Sequence, residues 1–335
     1  MPSISVICPV HNEAASIGAK TENLLALEYP RERLQFLVIG DGCTDESLEI
    51  VGRVGAGRVA TIALPARQGK AAALNAGLER ATGEIVVFTD AGIQVAPGAL
   101  RALAGRFADP IVGCVSGEDR IEDDGSESLY GRMELQLRRD ESRLHSIAGA
   151  SGCLYGIRRT LCRPFRHGMA PDFLSVLDTV RAGCRAVAEP AAYGTMAATG
   201  RQYDEFGRKT RTILRGMTAL SANLALLNPF RHTAFSFILF SHKLSRWLAP
   251  IALAGCLVTA ILLWNGPVYR TAAYLQILFY SAGAAGLASP GLAKRSAIVR
   301  LCAFFILVNG AAAKALVSWL AGVRQEIWQP TRRAA

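Results

Sequence analysis

Residues 36–45 read FLVIGDGCTD, four large apolar residues that stop on Gly40 and Asp41, and residues 84–92, EIVVFTDAG, repeat the pattern and stop on Asp90. Short apolar runs rich in β-branched residues and closed by glycine or aspartate read as buried parallel strands whose carboxyl ends open into a ligand crevice. Acids at such ends are placed to meet a ribose, a base or a metal ion. The pattern extends to both sides. Strands over residues 4–8, 34–39, 59–64, 85–89 and 111–115 alternate with helices over 13–27, 45–53, 69–81 and 97–107, which predicts an α/β fold with a Rossmann-like mixed sheet and helices on both faces. Thr44, ahead of Asp45 and Glu46, is placed as a helix N-cap, and Pro97 in a first helical turn. An acidic loop over 118–128, a helix over 129–145, a strand over 153–158, a helix over 172–182 and a strand over 185–189 complete the expected domain.

Charge divides the 335 residues unequally. Of 37 Lys+Arg and 27 Asp+Glu, residues 1–200 hold 21 and 24, and the remainder holds 16 and 3. The basic excess therefore falls in the half that carries long apolar runs, at 248–264, 272–289 and 301–320, each near the roughly 20 residues that cross a hydrocarbon core. Basic residues flanking apolar segments hold helices at an anionic inner leaflet, whereas a nucleic-acid face would carry them on soluble surface among aromatics; membrane contact is expected and nucleic acid is not. Lys294 and Arg295 place the second loop on the inner side, while Arg324, Arg332 and Arg333 and the interrupting Lys314 leave the number of spans and the side of the tail open. No basic, apolar and cleavable leader opens the sequence, so the first 200 residues are expected in the cytosol. Eight cysteines without a CxxC pair read as reduced packing residues.

Five strings in order carry a family resemblance: SVICPVHNE at 5–13, VIGDGCTD at 38–45, ARQGKAAALNAG at 66–77, VVFTDAG at 86–92, and MAPDF at 169–173 after GASGCLYGIRR. Together they resemble family 2 glycosyltransferases of the GT-A fold, in the bacterial subgroup with carboxy-terminal membrane helices. The closing GVRQEIWQPTRR is similar to that subgroup's tail. The resemblance implies a GT-A catalytic domain over 1–200, basic interfacial helices over 201–247, about three membrane helices over 248–322 and a basic tail over 323–335. It implies an inner-membrane, multi-pass enzyme that moves a hexosyl or N-acetylhexosaminyl group from a nucleotide-diphosphate sugar, UDP-linked by family habit, to a glycan or lipid-linked acceptor with inversion. Envelope or exopolysaccharide assembly is the setting implied, with a glycan-assembly complex as a partner compatible with it.

The residue types suit that chemistry. Sugar transfer stabilises a departing diphosphate while an acceptor hydroxyl loses its proton. The resemblance places nucleotide-sugar contacts at Pro9, Glu13, Asp41, Arg67, Lys70 and Asp90. Asp41 is suited to accept from base or ribose, with a surface turn as the plain alternative; Arg67 and Lys70 flank a glycine where a helix starts, suited to phosphate or merely solvated. Asp90 is the expected ligand of a divalent ion, Mg2+ or Mn2+, but the family's second acid is replaced by Gly92, which predicts weakened metal affinity. Asp172 is the expected general base. It is the second acid of the family's pair, Pro171 replacing the first, and a dipole-stabilised first-turn aspartate is the competing reading. In place of a Gln-x-x-Arg-Trp signature stands EFGRKTRTILRG, whose Arg208, Lys209, Arg211 and Arg215 face the diphosphate or belong to an amphipathic helix on the lipid surface. Two other classes remain: a nucleotidyltransferase, which lacks its amino-terminal glycine-rich loop here because the glycines at 52–57 read as a turn, and a silent nucleotide-sugar-binding scaffold, prompted by Gly92 and Pro171.

Overall fold

The computed structural model describes residues 1–122, 126–197 and 202–324. One eight-stranded sheet organises the first 197 residues, in the order β3-β2-β1-β4-β7-β6-β8-β5. Its strands are β1 (Ile4–Val10), β2 (Leu34–Asp41), β3 (Val59–Leu64), β4 (Ile85–Thr89), β5 (Gln94–Val95), β6 (Val112–Glu122), β7 (Leu154–Arg158) and β8 (Arg185–Ala197). The strands β1 to β4 run parallel, β7 runs antiparallel to β4 and β6, and β8 is parallel to β6 and antiparallel to β5. The central strands are apolar on both faces: β1 is buried at all seven positions and β4 at all five. Two hydrophobic clusters follow, one around Ile7, Phe88, Tyr155 and Phe173, the other around Ile4, Val38, Leu100 and Leu154.

Helices α1 (Ala14–Leu25), α2 (Ser47–Gly55), α3 (Lys70–Arg80), α4 (Ala99–Arg106), α5 (Ser126–Leu144) and α6 (Pro171–Arg181) cover the sheet. Two expected helix starts are corrected. Thr44 does not cap α2; its N–H is taken by Asn12 Oδ1 at 2.9 Å, and Asp45 does the capping, accepting from Ser47 N at 3.1 Å and from Ala14 N at 3.0 Å. Pro97 stands outside α4, which starts at Ala99, and its carbonyl accepts from Glu28 N. The glycines at 52–57 belong to the end of α2 and the left-handed turn behind it rather than to a turn throughout.

Beyond the sheet come α7 (Gln202–Ser221), α8 (Pro229–Leu239), a π-helical turn Phe240–Leu244, α9 (Ser245–Leu262), α10 (Pro267–Ala288), α11 (Pro290–Arg295) and α12 (Ala297–Leu320). Two stretches among the described residues, Pro229–Leu262 and Ala297–Leu320, are long and apolar enough to cross a membrane. Three spans were expected; the middle helix α10, interrupted by Gln276 and by small residues, does not reach that hydropathy. Lys243 and Arg246, which argue against a span before residue 253, turn toward the catalytic half instead. Arg246 Nη1 donates to Glu134 Oε2 at 2.9 Å, the ring nitrogens Nδ1 and Nε2 of His242 lie 2.5 and 2.7 Å from carboxylate oxygens of Glu141 and Glu134, and Lys243 Nζ lies 5.7 Å from the Phe173 ring centroid. This polar seam fastens the apolar helices to α5 and α6. The acidic loop falls in part, and Arg332, Arg333 and the tail from residue 325 wholly, outside the described residues.

Candidate active site

At the carboxyl end of β1 and β4 a small cleft opens between the sheet, α3 and α6. Pro9, Lys70, Leu74, Phe88, Thr89, Asp90, Gly152, Tyr155, Pro171 and Asp172 line it. The aromatic floor is one packed group, with the Phe88 ring 4.9 Å from Tyr155 and 5.4 Å from Phe165 between centroids. Burial pushes the Tyr155 phenol well above its ordinary pKa, so it serves the site as a neutral wall.

Asp90 follows the last residue of β4 and is fixed by its backbone N–H to Cys153 O at 3.2 Å. Lys70, the first residue of α3, reaches across the cleft: its Nζ donates to Asp90 Oδ1 at 2.6 Å and to Gly152 O at 3.3 Å. Burial opposes the Lys70 charge, but the attraction of and hydrogen bond to Asp90 prevail and hold its pKa above the ordinary value. Asp172 sits in the first turn of α6, favoured there by the helix dipole, and lines the same cleft. Its carboxylate accepts no hydrogen bond among the described residues, and Gly152 leaves the space beside it open, since a Cβ there would lie 3.9 Å from Asp172 Oδ2.

Asp41, expected to contact base or ribose, is engaged by backbone amides of the protein itself. It is fully buried at the end of β2 and does not line the cleft. Its Oδ1 accepts from Gln68 N at 2.7 Å and Gly69 N at 3.1 Å, and its Oδ2 from Gly69 N at 2.8 Å. A buried carboxylate needs donors, and the amides before α3 supply them. Asp41 thereby fixes the turn from which Lys70 projects. Gly42 belongs to the same device: at φ +59° it packs so tightly that a Cβ would lie 2.3 Å from Arg67 N.

The other expected residues divide as follows. Pro9 lines the cleft. Glu13, at the start of α1, accepts from Ser16 Oγ at 2.8 Å, and Arg67 is exposed on the turn before α3; neither lines the cleft. Arg208 and Lys209 pair with Glu205, at 2.6 and 2.9 Å, and Lys209 Nζ stands 5.2 Å from the Phe304 ring of α12, so these two knit α7 to itself and to the apolar helices. Arg211 is half-buried on the same helix. Arg215 of α7 does not line the cleft, but its charge is felt by Asp172 and Asp90. Its Nη2 donates to Met169 O at 2.8 Å, while its buried Nε has no hydrogen-bond partner. Burial pulls its pKa down, and the nearby charges of Asp172 and Asp90 oppose that. An orphaned guanidinium N–H beside two carboxylates and a cleft is a group prepared for an anionic ligand. Sequence reasoning ranked Arg215 with its neighbours; helical spacing alone does not distinguish it, and the packing of α7 on α6 does. Leu74, Phe88, Thr89, Gly152 and Tyr155 also line the cleft, and of these only Gly152 and Tyr155 lie in the GASGCLYGIRR motif.

A divalent ion is implied by the resemblance, and the donor set tests it. Among the described residues no group of three or more His, Cys, Asp and Glu side chains is assembled to hold a metal. Asp90 stands alone, without the acid that Gly92 replaces, and one of its oxygens is on Lys70. This set does not suit an ion held by protein ligands only. It suits one that brings phosphate oxygens and water with it, as Mg2+ does.

The chain is similar to known proteins in sequence and fold. The family model described as Glycosyl transferase family 2 matches residues 5–165. An uncharacterized glycosyltransferase of Haemophilus influenzae is 37% identical over 92 residues, covering 27% of this chain and 36% of that protein. A poly-beta-1,6-N-acetyl-D-glucosamine synthase of Staphylococcus aureus is 28% identical over 163 residues, 47% of this chain and 39% of its own. The chain thus spans less than two fifths of the length of these relatives. Among solved structures, a mannosyltransferase from Pyrobaculum calidifontis in complex with GDP-Man and Mn2+ superposes over 95% of this chain and 87% of its own, at TM-score 0.73 and 25% identity.

Proposed function

Since the chain belongs to glycosyl transferase family 2 through residues 5–165, we propose that it is a membrane-anchored, inverting enzyme that moves a sugar from a nucleotide-diphosphate donor to a glycan or lipid-linked acceptor. The observation that carries this reading is the unpartnered Asp172 carboxylate facing the Lys70–Asp90 pair across one cleft. That Asp172 shares one cleft lining with Lys70 and Asp90 supports a base and a diphosphate-binding charge acting on one substrate. Asp172 takes the proton of the acceptor hydroxyl as that oxygen attacks, in a single displacement. Lys70 and Arg215 hold the leaving diphosphate, whose charge grows as the glycosidic bond breaks. Asp90 would hold a divalent ion, such as the Mn2+ bound in the mannosyltransferase complex, and that ion would supply further charge neutralisation to the leaving group. Asp41 acts at one remove, by fixing the turn that carries Lys70.

Membrane attachment rests on exposure. Only 11% of the apolar window in Pro229–Leu262 and 33% of that in Ala297–Leu320 is buried, unlike a core helix of a soluble domain. The seam at His242 and Arg246 ties those helices to α5, which supports a catalytic half held close to the bilayer surface. UDP is the expected nucleotide, with GDP, carried by the mannosyltransferase's ligand, as the competitor. The retained, open Asp172 favours this reading over a silent scaffold. A screen of labelled UDP- and GDP-sugars with protein in lipid tests all three classes: sugar transfer with nucleoside diphosphate release supports the proposal, pyrophosphate release supports a nucleotidyltransferase, and binding without turnover supports the scaffold.

A further inference from the structure

Helix α1 buries Ile17, Lys20, Thr21 and Leu24, a stripe at helical spacing in which a lysine stands where an apolar residue belongs. Lys20 is 0% exposed. Its Nζ donates to Thr89 Oγ1 at 2.9 Å and to Ile93 O at 2.7 Å, and no carboxylate contacts it among the described residues. A buried ammonium without an ion pair is costly. What it holds is the turn at 89–93, at both ends: Thr89 precedes Asp90, and Ile93 closes the segment before β5.

Resting on the proposed diphosphate site, we infer that Lys20 is a positioning residue, which clamps the Asp90 turn from inside the domain and lends a fixed positive charge behind the diphosphate. Lys70 holds Asp90 from the cleft side and Cys153 O holds its backbone; Lys20 closes the third side, from a helix that contributes no group to the cleft lining. Burial draws the Lys20 pKa down to about 8, opposed by Cys8 first and then by the Asp90 carboxylate. With Gly92 in place of a second acid, the two lysines set the local balance around Asp90 toward positive charge, which favours a diphosphate.

The test is Lys20→Met, which keeps the length and apolar stem and removes the charge. Calorimetry of UDP and GDP with the wild-type protein comes first, because absence of binding there overturns the site itself rather than the role of Lys20. Given wild-type binding, the variant is expected to weaken nucleoside diphosphate affinity and raise the donor KM about tenfold with kcat within about threefold, at a melting temperature equal to or above wild type, since replacing a buried charge by an apolar group relieves desolvation. Unchanged affinity and KM overturn the inference. So does a lowered melting temperature with kcat and KM unchanged once corrected for folded protein. If Lys20→Met fails to fold, Lys20→Gln, which removes the charge and keeps a hydrogen-bond donor, is expected to raise the donor KM in the same direction, and a wild-type KM overturns the inference equally.

Discussion

Replacing Lys70 by methionine removes the cation that bridges α3 to Asp90 and leaves the stem that packs in the cleft. The pair is 2.6 Å apart with side chains 13% and 27% exposed, so it is neither fully screened nor fully desolvated. A charge-assisted hydrogen bond in that setting contributes about 1.5–3 kcal/mol, and a donor diphosphate that loses it should bind roughly 10- to 150-fold more weakly. The opposite effect is expected for metal. With Lys70 gone, both oxygens of Asp90 are free for a cation, so the half-saturating Mn2+ concentration should fall. Steady-state release of nucleoside diphosphate, titrated in donor at saturating Mn2+ and in Mn2+ at saturating donor, reads both. A donor KM unchanged by Lys70→Met would refute the assignment of Lys70 to the diphosphate, and a raised Mn2+ requirement would refute the competition for Asp90.

Asp90→Ala is expected to remove Mn2+-dependent strengthening of nucleotide binding, measured by titrating Mn2+ against UDP or GDP affinity; retained strengthening excludes Asp90 as the ligand. Gly42→Ala forces a Cβ to 2.3 Å from Arg67 N at positive φ and should cost about 2–4 kcal/mol, visible as a lowered denaturation midpoint, with a wild-type midpoint contradicting the close approach. Burial acts to raise the Glu134 pKa, but the His242 hydrogen bond and the surrounding cations bring it from 4.5 to about 2. A depressed carboxylate stabilises the fold above its unfolded pKa of 4.5, and that share is lost as pH falls toward 2. Glu134→Gln should therefore destabilise at pH 7 by about 3 kcal/mol and flatten the acid limb between pH 4.5 and 2, and an unaltered acid limb in denaturation against pH counts against the seam.

The parts of the site that follow from chain period were legible beforehand. Asp90 and Lys70 sit at a strand end and a helix start because apolar runs and glycines put those boundaries there, and Asp172 opens α6 behind a proline suited to a first turn. Parallel strands β1 to β4 follow from the same runs. What was hidden depends on which side of an element faces which neighbour. The Asp41 carboxylate turns to the amides of Gln68 and Gly69 because the tightly packed Gly42 brings that turn against β2, a contact between segments more than twenty residues apart. Lys20 was not marked at all, since a lysine on an amphipathic helix is ordinarily solvated. Arg215 looked like its neighbours until α7 met Met169. The apolar half was legible as such, but the charges at His242, Lys243 and Arg246 found partners on α5 and α6 that sequence order does not reveal.

The account stands most directly on Asp172. In lipid, with the nucleotide sugar that the wild-type protein turns over, Asp172→Asn keeps the shape of the cleft and removes the proton acceptor. The predicted result is nucleoside diphosphate affinity close to wild type together with sugar transfer reduced at least about 100-fold. Transfer at the wild-type rate in that variant contradicts the mechanism.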